Sequence, residues 1–127
     1  MINILLVGMG GALGSIARFL VSGWVQVISR NVNFPTGTLT VNVVGCFVIG
    51  FLSQLAEARG IFTSEARAFV FIGLLGGFTT FSTFGNETYN LARSGEMSSA
   101  LVNIGLNVIL GLLAVWVGHM VAYLIWH

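Results

Sequence analysis

The residues of this chain that could do chemistry gather in one run, GGFTTFSTF, from Gly76 to Phe84. Gly76 and Gly77 are poor helix formers. The hydroxyls of Thr79, Thr80, Ser82 and Thr83 compete for backbone hydrogen bonds, so the run predicts a break in any helix that contains it. Backbone groups are then released, and in an apolar surrounding they must be met by protein, water or an ion. Released carbonyls suit a cation such as Na+, and the N-terminal end of a resumed helix favours an anion. Phe81 and Phe84 stand three apart, on similar sides of the resumed helix. Either they pack as ordinary apolar residues or they turn electropositive ring edges to a small anion.

Two polar stripes accompany this run. Thr38, Asn42 and Cys46 follow one another at steps of four, as do Ser99, Asn103, Asn107 and Gly111, and residues four apart share a helix face. Each stripe is either a pore wall or a set of hydrogen bonds between helices. Arg18 is a permanent cation inside an apolar stretch. It either pairs with Glu87 or lines an aqueous mouth that attracts anions; a Glu87 left without a partner would point to proton coupling. His119 and His127 have no carboxylate, Ser or Cys at a catalytic spacing, and read as a hydrogen-bonded helix residue and a chain end. The single Cys46 rules out an intramolecular disulfide and reads as a packing residue. Gly8, Gly10 and Gly11 lack the third glycine of a dinucleotide fingerprint, since position 13 is Leu, and read as packing glycines.

The elements that position these residues follow from composition. Hydrophobic residues make up 56% of the 127 and charged residues 7%, against roughly 25% charged in soluble domains. So few charges cannot cover a water-exposed surface. Five Arg, no Lys and four Glu form no basic patch, so nucleic acid is not expected as a partner. Four apolar stretches are long enough to cross a bilayer, at about 2–28, 36–56, 66–91 and 97–126. The expected fold is therefore an all-α integral membrane protein, a single transmembrane domain over 1–127, with its third helix broken at mid-membrane. The first stretch has no basic residue before its apolar core and runs on past Arg18, so it reads as a retained helix and not a signal peptide. Pro35, Gly60 and Gly95 mark the connections, with a helix cap at Thr63 or Ser64.

Four spans put Arg59 and Arg67 on one membrane face and Arg30 and Arg93 on the other, a balance that fixes no orientation. Insertion both ways round, with antiparallel pairing, is the expected outcome. Gly10 and Gly14, and Gly73 and Gly77, carry the four-residue spacing that lets helices approach closely. They serve either a homo-oligomer or packing within one chain.

The glycine-rich first helix with Ala17-Arg18-Phe19, the second-helix start Gly37-Thr38-Leu39-Thr40-Val41-Asn42, and GGFTTFSTF followed by Glu87 resemble the Fluc (CrcB) family of fluoride channels over nearly the whole chain. The resemblance implies a passive, fluoride-selective channel of the cell (inner) membrane and no enzymatic activity. It implies an antiparallel dual-topology homodimer with two fluoride pathways and a structural Na+ at the interface, held by main-chain oxygens of Gly76 and Thr79. Phe81 and Phe84 would form the aromatic walls, Asn42 would be a donor, and Ser82, Thr80 and Thr83 would supply hydroxyls. Thr38 would join the pathway from the second helix, and Asn103 and Asn107 from the fourth, where Gly111 stands in place of a possible serine. Gly85-Asn86 departs from the Ser-Ala that follows the family motif. The rival is a small multidrug-type proton-coupled transporter, which is expected to carry a Glu in its first helix. Here that helix carries Arg18.

Overall fold

The computed structural model describes residues 1–126; His127 lies outside them. Among the described residues the chain is helical throughout. Helix α1 spans Ile2–Ser29 and α2 spans Thr36–Arg59. The third span begins with α3 (Ser64–Arg67), continues through a π-helical segment, Ala68–Leu75, and ends its first half with α4 (Gly76–Phe78). It resumes as α5 (Phe81–Arg93), and α6 covers Met97–Trp126. Four stretches, Ile2–Ser29, Thr36–Arg59, Ser64–Arg93 and Met97–Trp126, are long and apolar enough to cross a membrane.

The second and third helices overrun their apolar stretches. Helix α2 continues past residue 56 through Glu57 and Arg59 until Gly60 adopts φ 60, a left-handed cap whose N–H bonds Ala56 O at 3.0 Å. The third span starts at Ser64, two residues before the apolar stretch, because the Thr63 hydroxyl accepts from Ala66 N at 3.1 Å and caps it. Hydropathy marks the part of a helix that sits in lipid; caps mark where it ends.

The helices pack chiefly in two pairs, α2 with α6 and α1 with the first half of the third span. Small residues make both contacts close. A Cβ on Gly10 would meet Phe69 O and one on Gly14 would meet Leu74 O. On the facing helix, one on Gly73 would lie 2.8 Å from Val7 O and one on Gly77 2.7 Å from Gly11 O. The two glycine stripes thus face each other inside one chain. Their spacing is accounted for by intrachain packing and carries no argument for an oligomer. Between α2 and α6, Gly50 and Gly118 play the same part against Val115 O and Phe47 O.

Large apolar side chains turn outward, among them Ile4, Phe19, Trp24, Leu112 and Leu124, while the buried positions are mostly small. That arrangement suits a lipid surround, where apolar surface needs no covering. The two buried polar side chains, Thr38 and Asn103, lie on α2 and α6.

Candidate functional site

The chain leaves helical geometry at Thr79 (φ −90, ψ 160) and Thr80 (φ −152, ψ 120). Before this point the third span packs on α1; after it, α5 packs on α6. Two extended residues let one span change partners.

Side chains hold this step open. Thr80 N–H, which an unbroken helix would give to Gly76 O, goes to Asn42 Oδ1 at 2.9 Å, and Asn42 Nδ2 returns a bond to Thr80 O at 3.1 Å. Thr83 N–H, whose helical acceptor would be Thr79 O, goes to Thr80 Oγ1 at 3.2 Å and caps α5. Both diversions free a carbonyl, at Gly76 and at Thr79. Thr79 itself is anchored backward, its N–H and hydroxyl both bonding Leu75 O at 3.0 Å. Gly45 on α2 makes room for the Thr79 methyl group.

A cavity of about 400 Å³ opens beside the break, its wall formed by Asn42, Gly76, Thr79, Thr80, Phe81, Phe84 and Asn107 together with apolar neighbours. The rings of Phe81 and Phe84 stand 5.5 Å apart at 58°, and Phe81 is 82% exposed. The sequence-predicted carbonyls and aromatic rings therefore share one open groove. Ser82 is exposed and lines none of the cavities described here.

Thr80 also lines a second cavity, about 240 Å³, where Arg18 meets Ser15, Ser22, Thr38 and Thr83. A third, about 830 Å³, is lined by Gln26, Glu87, Asn90, Arg93 and Glu96 among others. Arg18 and Glu87 thus face different cavities and form no ion pair; Glu87 Oε1 is buried without a hydrogen-bond partner among the described residues. Thr38, which lines the Arg18 cavity, is the side chain that faces the Glu87 carboxyl group. Thr80, Thr83 and Glu87 fall at helical steps along α5 and its cap, so residues of one face contribute to all three cavities.

The two polar stripes meet each other. Asn42 Nδ2 bonds Asn107 Oδ1 at 3.1 Å, and a Cβ on Gly111 would lie 3.4 Å from Cys46 Sγ. Asn107 Nδ2 bonds Asn103 O at 2.9 Å and Asn103 Oδ1 at 3.0 Å. Both N–H groups of Asn42 are thus engaged within the chain. Asn103, 1% exposed, lies outside the walls of all three cavities. His119 Nδ1 stands 3.4 Å from Gln54 Oε1, a pairing between α6 and α2.

Four contributors escaped the sequence reading. Thr88 meets Asn103 Nδ2 at 2.9 Å, and a buried Asn in an apolar helix was the signal that such a partner must exist. Gln26 bonds Asn31 O at 2.6 Å, Phe34 O at 2.9 Å and Gly37 N at 3.0 Å, which ties the first connection to the start of α2. Ser15 and Ser22 bring hydroxyls to the Arg18 cavity, three and four residues from that arginine on α1.

Four apolar helical spans and close glycine-mediated packing define a multi-pass membrane protein. The family model described as CrcB-like protein, Camphor Resistance (CrcB) matches residues 5–119, and the chain belongs to that family. It is 53% identical to the fluoride-specific ion channel FluC of Methylocella silvestris over 115 residues, 89% of this chain and 87% of that protein. It is 51% identical over 118 residues to the protein of the same name from Parabacteroides distasonis, 93% and 91% of the two lengths. With the fluoride-specific ion channel FluC 1 of Methanosarcina acetivorans it shares 44% over 122 residues, 96% and 92%.

Proposed function

We propose that the chain is a fluoride-selective passive channel that lets F− leave the cytoplasm. The observation that carries this reading is the single groove in which freed carbonyls, aromatic rings and hydroxyl-bearing residues converge at the break of the third span. Family membership and the names of the relatives support it.

Neutral HF crosses lipid and dissociates in a less acidic cytoplasm, leaving F− behind; an inside-negative potential then drives the anion out. No bond is made or broken, so the protein acts as a channel and not an enzyme. Fluoride holds its water tightly, and a selective path must replace that water with donors while binding weakly enough to release the ion. Along the proposed path those donors are the hydroxyls of Thr38, Thr83, Thr80 and Ser82, followed by the ring edges of Phe81 and Phe84. Asn42 and Asn107 form the opposite wall. Arg18 supplies a permanent positive charge beside the hydroxyl cavity, which offsets the cost of dehydrating an anion.

The functional unit in this reading is an antiparallel dual-topology homodimer, broken at mid-membrane in each copy, with lipid around it. The exposed Phe81 and the open groove suit coverage by a second copy. Gly76 O and Thr79 O of both copies would then hold a Na+; their helical donors are diverted elsewhere, so these oxygens fit a hard cation. Bound there, Na+ would contribute fixed positive charge and tie the two breaks together. The multidrug-type alternative is not favoured: α1 has no carboxylate, and its one ionised side chain is Arg18.

The test is efflux from proteoliposomes read with fluoride- and chloride-selective electrodes. Potential-driven fluoride loss without chloride loss is expected, and it should cease when Na+ is thoroughly removed. Proton-coupled drug uptake, or no ion movement, would reject the reading.

A further inference from the structure

Five hydrogen bonds form a one-way chain around the start of α5. Thr80 N–H donates to Asn42 Oδ1 at 2.9 Å, Asn42 Nδ2 to Asn107 Oδ1 at 3.1 Å, and Asn107 Nδ2 to Asn103 Oδ1 at 3.0 Å. Asn103 Nδ2 then donates to Thr88 Oγ1 at 2.9 Å, and the Thr88 hydroxyl to Phe84 O at 2.7 Å. The chain leaves α5 at its cap, crosses α2 and α6, and returns to α5 two turns later.

Its direction is the same read from either end: Thr80 N–H can only donate and Thr80 O only accept, which sets Asn42 Oδ1 toward the one and Nδ2 toward the other, and the far end agrees. A hydroxyl has one proton, and Thr88 spends it on Phe84 O, so toward Asn103 it can only accept. Asn103 must therefore present Nδ2 to Thr88 and Oδ1 to Asn107. Asn107 must present Nδ2 to Asn103, a choice reinforced by the bond to Asn103 O at 2.9 Å, and Oδ1 to Asn42. Asn42 is left with Oδ1 facing Thr80 N–H. Were Asn42 to turn over, its NH2 would meet Thr80 N–H donor to donor, and Thr80 N–H would return to Gly76 O.

We infer that Asn103 is a positioning residue, acting through Asn107 and Asn42 to hold Thr80 N–H away from Gly76 O, with Thr88 accepting the last amide N–H of the relay. This inference rests on the channel reading and changes one part of it. Asn103 works from behind the wall. Burial at 1% exposure, outside every described cavity, suits a relay member and not a residue met by the permeating ion.

Asn103→Leu removes a relay member; Thr88→Val removes the hydroxyl that anchors Asn103 and leaves every asparagine in place; Thr88→Ser keeps the hydroxyl. Two measurements apply to the full chain: hydrogen exchange at Thr80 N–H by NMR, and fluoride efflux across a series of Na+ concentrations. Loss of one link is expected to speed Thr80 exchange about tenfold and to raise the half-saturating Na+ about tenfold, the equivalent of one hydrogen bond. Flux at saturating Na+ should stay within about twofold of the parent, and Thr88→Ser should restore both readouts. Lower flux at every Na+ concentration, with unchanged half-saturation and unchanged Thr80 exchange, would overturn the inference. If Asn103→Leu does not fold, Thr88→Val decides alone. A parent protein that conducts no fluoride overturns the channel reading, yet Thr80 exchange still decides the relay because it needs no transport.

Discussion

Asn42 and Thr80 grip each other in both directions, Thr80 N–H to Asn42 Oδ1 at 2.9 Å and Asn42 Nδ2 to Thr80 O at 3.1 Å. A side-chain amide has the donor and acceptor of a peptide group. Asn42 therefore serves Thr80 as a neighbouring strand would, in the one place where the helix cannot.

Asn42→Leu should take the side-chain partner from both backbone groups of Thr80 in an apolar span. A loss of about 1–3 kcal/mol of stability is expected, read as a lowered melting midpoint in detergent. Fluoride efflux should fall with it. Asn42→Asp should also fail, because it retains an acceptor for Thr80 N–H but sets a carboxylate against Thr80 O and Asn107 Oδ1. An Asp variant that conducts and melts like the parent would show that the amide donors of Asn42 are dispensable.

The glycines divide by what surrounds them. A methyl at Gly14 would meet Leu74 O, and the two helices would have to separate, whereas Gly8 and Gly105 have nothing within 4 Å of an added Cβ. Gly14→Ala should cost about 1–3 kcal/mol. Gly8→Ala and Gly105→Ala should be neutral in packing and gain up to about 1 kcal/mol of helix propensity. Thermal melts of the three variants check this. Equal melting points would mean that α1 can shift away from the third span at no cost.

Much of this was legible in the sequence because lipid imposes simple rules. Four apolar stretches gave four spans, and Gly-Gly followed by hydroxyl residues marked where the third would leave helical geometry. The glycine stripes were visible too, but spacing names no partner, and Gly10 and Gly14 turned out to face Gly73 and Gly77 of their own chain. The polar stripes had the same ambiguity: period four showed that Asn42 and Asn107 share faces with their neighbours, not that the two amides bond each other. The π-helical segment Ala68–Leu75 left no trace, since an unbroken apolar run has no polar residue to report a change of register. Nor could the sequence say that Arg18 and Glu87 part company, because that depends on which cavity each helix face meets.

Arg18 shares its cavity with five hydroxyl-bearing residues, Ser15, Ser22, Thr38, Thr80 and Thr83, and it forms no ion pair among the described residues. A free cation there should raise the local anion concentration. Arg18→Gln should lower fluoride efflux most at low ionic strength, and the deficit should shrink as salt shortens the screening length from about 30 Å at 0.01 M to about 8 Å at 0.15 M. A deficit independent of salt would assign Arg18 a packing role instead.

Phe81 and Phe84 remain the residues for which packing and ion contact make different claims. Their rings touch at 5.5 Å, but Phe81 is 82% exposed in the single chain, so little of that chain's stability depends on its size. Leucine keeps the apolar bulk and loses the ring's positive edge. If the ring only fills space, Phe81→Leu should conduct fluoride at the parent's rate. If its edge meets the anion, efflux should fall roughly three- to tenfold, the rate equivalent of about 0.7–1.4 kcal/mol, which lies within the usual worth of an aromatic quadrupole contact. The melting midpoint of the detergent-solubilised protein should be unchanged in the second case, which separates a lost contact from a lost fold. Unchanged flux in both Phe81→Leu and Phe84→Leu would remove ring electrostatics from the mechanism and return selectivity to the hydroxyls of Thr80 and Thr83.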